Sequence, residues 1–215
     1  MTYSPAQAGV MDGTDFFTSL GLIGGSTGMV PLISSHTTIP TFSDSDGTAL
    51  TITNSVALAG TGAEASWAGY NLSASKTKLL AIAYVHPSTS NYIGLGFHTS
   101  TLPTSTLVDS YEATFDGAGG HSELAKYVSG SLTALQTDAT IYQNDLVYSA
   151  VWGIGLYVDV DNDIQKSFFK GSSGQWVQVL ADTDTAHTSA TFQSFYLRHY
   201  GESARFIAPI YCWAS

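Results

Sequence analysis

The stretch LYVDVDNDIQKSFFK, residues 156–170, decides the fold of this chain. Leu156, Val158 and Val160 alternate with Tyr157 and acidic residues at a period of two, which is typical of a half-buried β-strand. The Asp-Asn-Asp segment that follows favours a turn, because Asx side chains tolerate positive φ and bond their own backbone. The residues after it then return as a second strand, so the stretch predicts a β-hairpin.

The same aspartates raise the question of a metal site, since an EF-hand calcium loop begins with acidic residues at alternate positions. Asp159, Asp161 and Asp163 have this spacing. However, the sixth loop position must turn sharply and is nearly always Gly, and the twelfth supplies a bidentate Glu. Here those positions hold Ile164 and Lys170. We therefore predict no EF-hand, no metal and no cofactor, while a calcium site of another geometry stays an alternative.

From residue 48 onward the chain reads as a series of short segments rich in Val, Ile, Thr and aromatic residues. Short segments of turn-forming residues separate them, among them HPSTS, DGAGG, GSSG and HYGES. Many strands with short polar turns and no long amphipathic helix indicate an antiparallel β-sandwich or barrel. The predicted fold class is all-β.

The hairpin and its neighbours carry a resemblance to a known family. A strand GLYVDVDND, a return strand IQKSFFK, a Gly-Ser turn and then GQWVQV resemble the late strands of concanavalin A-like jelly rolls, including lectin-like and SPRY-like domains. The closing FYLRHYGESARFIAPIYCWA is similar to the final core strands of that fold. The resemblance covers roughly residues 145–213 and implies two facing antiparallel sheets. It implies no activity, because the same fold carries lectins, glycosidases, lyases and structural modules.

Residues 1–45 differ from the rest of the chain, because Gly, Ser, Thr and Pro interrupt any long apolar run there. TDFFTSLGLIGG predicts at most one short helix, with Thr14 or Asp15 as its cap and Gly24 as its end. We predict an extended N-terminal arm over residues 1–45 and a sandwich domain over residues 46–215. The alternative is that the first region supplies edge strands to the main sheets.

Charge and cysteine content exclude several partners. The chain has 215 residues and a net charge of −10, and its seven Lys and Arg residues form no cluster. Phosphate binding needs several converging cations, so we expect no direct nucleic-acid partner and no membrane partner. The single cysteine, Cys212 in IYCWAS, excludes an internal disulfide and is expected to be a buried hydrophobe.

Candidate ligand-binding residues are aromatics that lie near polar loops. In a lectin-like groove such rings stack on sugars, although core packing and subunit interfaces are commoner uses. The candidates are Trp67, Tyr70, Tyr92, Tyr111 and Trp176. A polar cluster near the C-terminus, Arg198, His199, Tyr200 and Arg205, offers a second option, either binding an anionic ligand or pairing with aspartates between subunits.

We looked for the paired acids that glycoside hydrolysis requires. The glucanases of the concanavalin A-like fold carry a strand of the type E-x-D-x-x-E, and no such stretch exists in this sequence. Glu112 with Asp116 or Asp109 could share a sheet region, but the strand motif is missing. We therefore assign no catalytic residue and expect a protein that is not an enzyme.

Three functions are compatible with these observations. A chain with only 11% charged residues, a Gly-rich arm and a lectin-like sandwich resembles accessory structural proteins of bacteriophages. The first hypothesis is therefore a non-enzymatic virion structural protein, either capsid decoration or a tail or fibre module, that forms a homo-oligomer and packs against other virion proteins. The alternative is a carbohydrate-binding host-recognition module that binds surface glycans. A polysaccharide hydrolase or lyase is the third hypothesis.

Overall fold

The structure is a computed structural model that describes residues 16–18, 20, 22, 30–34, 43–44, 50–53, 56–59, 65–86, 92–101, 107–116, 122–138, 151–171, 175–200 and 205–215. Its strands are β1 Val30–Ser34, β2 Ser43–Asp44, β3 Leu50–Thr53, β4 Val56–Ala59, β5 Ala65–Lys76, β6 Lys78–His86, β7 Tyr92–His98, β8 Ser110–Asp116, β9 Ser122–Val128, β10 Ser131–Asp138, β11 Trp152–Asp159, β12 Ile164–Lys170, β13 Trp176–Thr183, β14 Phe192–Tyr200 and β15 Arg205–Ala214. One helical turn spans residues 16–18.

The strands form two sheets, and every strand pair among the described residues is antiparallel. Within the described residues the first sheet has eight strands in the order β13-β12-β11-β6-β15-β4-β3, with β1 also paired to β15. The second has seven strands in the order β10-β9-β8-β7-β14-β5-β2. The predicted antiparallel sandwich is confirmed.

The main core lies between the two sheets and follows the alternation of the strands. In β8, Tyr111, Ala113 and Phe115 belong to this core. In β11, Leu156 and Val158 belong to it too, and Cys212 of β15 is fully buried there, as the sequence indicates. Burial raises the pKa of the Cys212 thiol to about 12, so the thiol stays protonated at neutral pH.

The predicted hairpin is present as β11 and β12, which pair directly from Asp159 and Ile164 outward. Asp163 in the turn has a φ of 55°, a left-handed conformation that Asp adopts more readily than most residues. The prediction that the first strand of the hairpin is half-buried is wrong, because β11 is buried along its whole length.

The reason for this burial is a second apolar cluster on the outer side of the eight-stranded sheet. Phe17 and Leu22 from the N-terminal region pack there against side chains from β6, β11, β12, β13 and β15. The ring of Phe17 meets Phe168 at a centroid distance of 5.0 Å and Trp176 at 5.2 Å, both in edge-on geometry. A short N-terminal segment therefore covers the side of β11 that the alternation pattern alone predicts to face solvent.

Two other described segments of the N-terminal region join the sheets. β1 pairs with β15 in the first sheet, and β2 pairs with β5 in the second. These pairings match the edge-strand alternative for residues 1–45, whereas the boundary at residue 45 stays a prediction. The part of the chain that the structure describes contains no apolar helix of membrane-spanning length.

Candidate functional site

The seven-stranded sheet carries polar side chains on the side that faces away from the main core. In β14, Phe195 and Leu197 lie in the core, so the residues between and beside them project to the other side. Strand register aligns these outward positions into rows across β14, β7, β8 and β9. The rows are Ser194-His98-Ser110-Tyr127, then Tyr196-Gly96-Glu112-Ala125, then Arg198-Gly94-Thr114-Glu123, and the register continues to Tyr200-Tyr92-Asp116. We call this side of the sheet the polar face.

One half of the polar face is covered and the other is open. Tyr196 is fully buried, and Leu107 packs with Tyr127 and Tyr196 as a small apolar cluster of its own. Exposure increases toward the other end, where Tyr92 is 40% exposed. Arg198 lies at the boundary between the two halves, with a side chain that is 22% exposed.

A buried ion pair joins the two halves. Arg198 donates from Nη1 to Glu112 Oε1 at 2.6 Å and to the Tyr127 hydroxyl at 2.7 Å. Tyr196 donates its hydroxyl to Glu112 Oε2 at 2.8 Å. Glu112 is only 1% exposed, so its charge is compensated almost entirely by protein groups. Both of its oxygens are therefore occupied, and the guanidinium is fixed in place.

The protonation states follow from this environment. Burial lowers the pKa of Arg198, but Glu112, Tyr127 and Tyr196 together outweigh burial and hold the pKa above its usual value. Burial and then Glu112 raise the pKa of Tyr127 and of Tyr196. Both hydroxyls thus keep their protons, and Arg198 keeps its charge, over the whole physiological range. The guanidinium offers Nε and Nη2 as donors with no protein partner among the described residues.

Two glycines shape the surface between these side chains. A Cβ at Gly96 would lie 2.2 Å from Cζ of Tyr196, which means that the tyrosine ring lies directly on the glycine backbone. A Cβ at Gly94 would meet the Ala113 carbonyl oxygen at 2.9 Å. Thr114 Cγ2 lies 3.0 Å from the same Cβ position and Gly94 is buried, so the Thr114 side chain packs against this glycine. We call the strip of surface over Gly94, between Arg198 on β14 and Thr114 on β8, the trough. Tyr92, two residues away on the same strand, stands at the open end of this trough.

The covered half is held by His98. Its Nδ1 lies 3.3 Å from the Ser100 carbonyl oxygen, and its Nε2 lies 3.2 Å from the Val108 backbone nitrogen. Further bonds join the same loop ends, from Thr99 to the Asp109 carbonyl at 3.0 Å and from Ser194 Oγ to the Ser100 carbonyl at 2.9 Å. The loop ends that carry Leu107 are thereby attached to the sheet.

The structure does not bring the five aromatic candidates together. Tyr92 is exposed on the polar face, and Trp67 is the register partner of Arg198. Tyr70 is half-buried and packs toward the main core. Tyr111 is fully buried in that core, where it donates its hydroxyl to Asp184 Oδ1 at 2.8 Å. Trp176 is buried on the other sheet, where it packs against Phe17. A sugar ring cannot stack on the rings of Tyr111 and Trp176 in this structure, since no face of either is accessible.

The C-terminal polar cluster and the acidic pairs are also separated. Arg198 belongs to the polar face, whereas Arg205 lies on β15 in the other sheet. Glu112 has Arg198 as its partner, and Asp109 accepts from the backbone nitrogen of Ser129. The Glu112–Arg198 pair is the feature that sequence reasoning missed. Each residue is conspicuous as a charge in a poorly charged sequence, but nothing local links them.

The aspartates of the hairpin have protein partners. Asp159 Oδ2 accepts from the Tyr157 hydroxyl at 3.0 Å and from Asn162 at 3.0 Å, and Lys78 lies 3.2 Å away. Asp161 accepts from the Thr77 hydroxyl at 3.0 Å. Across the described part of the chain, no three His, Cys, Asp or Glu side chains group as metal ligands would.

Comparison with known proteins places the fold in a class. No protein-family model and no curated protein sequence matches the chain. Among solved structures, the VIP36 exoplasmic/lumenal domain in its Ca2+/Man3GlcNAc-bound form has a TM-score of 0.59 at 10% identity, covering 86% of this chain and 88% of that one. Peanut lectin has a TM-score of 0.56 at 10% identity, covering 81% and 90%. The carbohydrate-binding module CBM66 from Bacillus subtilis has a TM-score of 0.50 at 13% identity, covering 85% and 93%.

These likenesses concern the backbone. At such low identity they define the fold as a concanavalin A-like, lectin-type jelly roll, which confirms the fold implied by the late strands. They give no support to an SPRY-like or bacteriophage assignment. The virion hypothesis and the absence of enzyme activity stay predictions.

Proposed function

We propose that this protein is a carbohydrate-binding module whose ligand lies in the trough over Gly94. The observation that carries the proposal is Arg198, which buried protein groups hold by one guanidinium nitrogen while its Nε and Nη2 lack partners among the described residues. A donor fixed in this way is suited to hydroxyl and ring oxygens, because little entropy is lost when a ligand accepts from it. The fold shared with lectins and a carbohydrate-binding module supports the same function.

The trough has the groups that sugar recognition uses. Thr114 and Arg198 flank the Gly94 backbone, and Tyr92 supplies an exposed ring at one end. An aromatic ring stacks on the apolar face of a sugar, while the hydroxyls accept and donate at its edge. A pyranose needs both kinds of contact, and the open half of the polar face offers both. Tyr92 lies two residues from Gly94 along β7, and Arg198 and Thr114 are the register partners of Gly94 on the neighbouring strands.

The charges around the trough favour an uncharged sugar. Glu112 already compensates Arg198, and Glu123 extends the same row as Arg198. The whole chain also carries a net charge of −10. An acidic sugar would meet a carboxylate excess, whereas a neutral glycan would meet hydrogen-bonding groups without repulsion.

Binding without catalysis agrees with the state of Glu112. A glycosidase needs two carboxylates that face the bond to be cleaved. Glu112 is buried, and its two oxygens are bonded to Arg198 and Tyr196. Such a carboxylate positions a guanidinium and is not available to transfer a proton. A role on a virion, within a homo-oligomer, stays a separate prediction from composition.

The test is a glycan array followed by calorimetry on the strongest neutral ligand. Arg198→Lys keeps the charge beside Glu112 but loses the planar fork, and Tyr92→Ala removes the exposed ring. Each variant is expected to weaken binding roughly 10-fold or more, the equivalent of one lost charge-assisted hydrogen bond or ring contact.

Val177→Ala is the matched control, because Val177 is 39% exposed on β13 of the other sheet. It should leave the affinity unchanged. Unchanged binding by both polar-face variants, or selective binding of acidic glycans, would contradict the proposal.

A further inference from the structure

The His98 ring, on the covered half of the polar face, has hydrogen-bond partners at both of its nitrogens. The Val108 backbone N–H points at Nε2 of His98 at 3.2 Å, so Nε2 must hold a lone pair. Nδ1 has acceptors beside it, the Ser100 carbonyl at 3.3 Å and the Ser100 hydroxyl oxygen at 3.1 Å, although the Ser100 backbone N–H also points at it from 3.2 Å. Among the described residues Nε2 faces only the Val108 donor, so the proton is assigned to Nδ1, which donates to Ser100. This tautomer is assigned from the partners. One neutral imidazole therefore joins Ser100 to Val108. A second proton, on Nε2, would place the ring N–H against the Val108 N–H.

The surroundings of His98 oppose that second proton. The side chain is 1% exposed, and burial lowers the pKa of His98 below its ordinary 6.5, outweighing the Ser100 carbonyl and Asp109, which raise it. His187 adds a weaker opposing contribution. On the neighbouring strands its register partners Ser110 and Ser194 are uncharged. The next row holds Glu112, whose charge is compensated by Arg198.

Leu107 connects this histidine to the ligand-binding groups. It is adjacent to Val108 in the chain, is almost fully buried, and packs against Tyr127 and Tyr196. Those two tyrosines bond Arg198 and Glu112 respectively. The Val108 carbonyl accepts separately from the Gly130 N–H at 2.9 Å, so loss of the His98 bond frees the Val108 N–H, on the side of Leu107, while its carbonyl stays attached. Leu107 is the apolar side chain that packs on both tyrosines among the described residues.

We propose that His98 is a pH-sensitive anchor of the proposed carbohydrate site: protonation breaks its bond to Val108, releases Leu107 and loosens the tyrosine frame around Arg198. This inference rests on the proposed function for its biological meaning. The direction of the pH dependence follows from the neutral imidazole that the fold requires. In the folded protein the anchor is present while His98 is neutral and is lost as pH falls through the folded pKa, which lies below the ordinary 6.5. The accompanying loss of folding stability begins as pH falls below about 6.5, where the unfolded histidine takes up a proton.

The experiment is an NMR titration of the intact chain without ligand, from about pH 7.5 to about pH 5, across the range in which histidine changes charge. It follows the His98 ring, the Val108 amide, the Leu107 methyls and the Tyr127 and Tyr196 rings. We expect all of them to shift with one midpoint below 6.5. His98→Gln supplies an acceptor that does not titrate, so the shifts at Leu107 and both tyrosines should disappear. His187→Gln should leave the Leu107 and Tyr196 shifts unchanged; Tyr127 is left out of this comparison, because His187 Nε2 lies 2.9 Å from the Tyr127 carbonyl oxygen.

The readout separates this inference from the proposed function, because it needs no glycan. Leu107 and tyrosine signals that stay constant while His98 titrates would overturn the anchor, as would shifts that follow His187 instead. If His98→Gln does not fold, the wild-type comparison of His98 with Leu107 still decides the matter. Coupled shifts in a protein that binds no glycan would refute the proposed function and leave the anchor standing.

Discussion

At the scale of single residues, buried carboxylates in this protein are matched to specific partners. Glu112 is held by Arg198 and Tyr196, and Asp159 is held by Lys78 and two uncharged donors. Removing one partner of a buried pair is costly, because the remaining charge keeps its desolvation penalty without compensation. These residues therefore combine large effects on stability with little visible signal in the sequence.

Asp159 provides a stability prediction. Burial raises the pKa of Asp159, but Asn162, Lys78 and Tyr157 together outweigh burial and hold it below its ordinary 3.8. A depressed folded pKa means that the stabilisation is present above pH 3.8 and is lost as pH falls below that value. Asp159→Asn should lower the free energy of unfolding by about 2–4 kcal/mol at neutral pH.

Urea denaturation at several pH values measures both effects. Below pH 3.8 the difference between wild type and Asp159→Asn should shrink. Asp161→Asn is the control in the same hairpin, since an Asn oxygen still accepts from Thr77, and its effect should stay below about 0.5 kcal/mol. Equal effects of the two variants at neutral pH would contradict the assigned role of Asp159.

At the scale of elements, the short N-terminal segment is what distinguishes β11 from an ordinary half-buried strand. Phe17 fills the outer side of the eight-stranded sheet, touching Phe168 and Trp176. The sequence shows the hydrophobic residues of this segment and its brief helical character. It does not show which sheet face they meet, because that contact joins residues about 150 positions apart.

The contribution of this segment can be measured. Phe17→Ala is expected to lower the free energy of unfolding by about 3–5 kcal/mol, as for other fully buried phenylalanines. Leu20→Ala is the matched control, because Leu20 is 45% exposed, and it should cost under about 0.5 kcal/mol. Chemical denaturation compares the two. A small loss for Phe17→Ala would mean that the segment does not hold the sheet as described.

Element by element, the sequence predicts the fold better than it predicts the site. Alternation and turn chemistry in residues 156–170 are local, so the hairpin and the sandwich follow from them directly. The pairing of Glu112 with Arg198 depends on β7 lying between β8 and β14. Strand order is a long-range property that one sequence does not reveal. Tyr111 and Tyr92 show the same limit, since only strand register decides that one is core and the other exposed.

At the scale of the whole molecule, the two sheets have different outer sides. The eight-stranded sheet is covered by an aromatic cluster, whereas the seven-stranded sheet presents polar groups that are buried at one end and open at the other. Within the described part of the molecule, therefore, the outer side of the seven-stranded sheet is the one that offers hydrogen-bonding groups to a ligand. This asymmetry is the basis for placing a ligand over Gly94.

The most direct measurement of this central claim is a crystal structure of the protein with its strongest neutral glycan. The expected result is a sugar over Gly94, accepting from Nε or Nη2 of Arg198 and lying against the Tyr92 ring, with the Glu112–Arg198 pair intact. A glycan bound on the eight-stranded sheet or at the 161–163 turn, with the polar face empty, would contradict it.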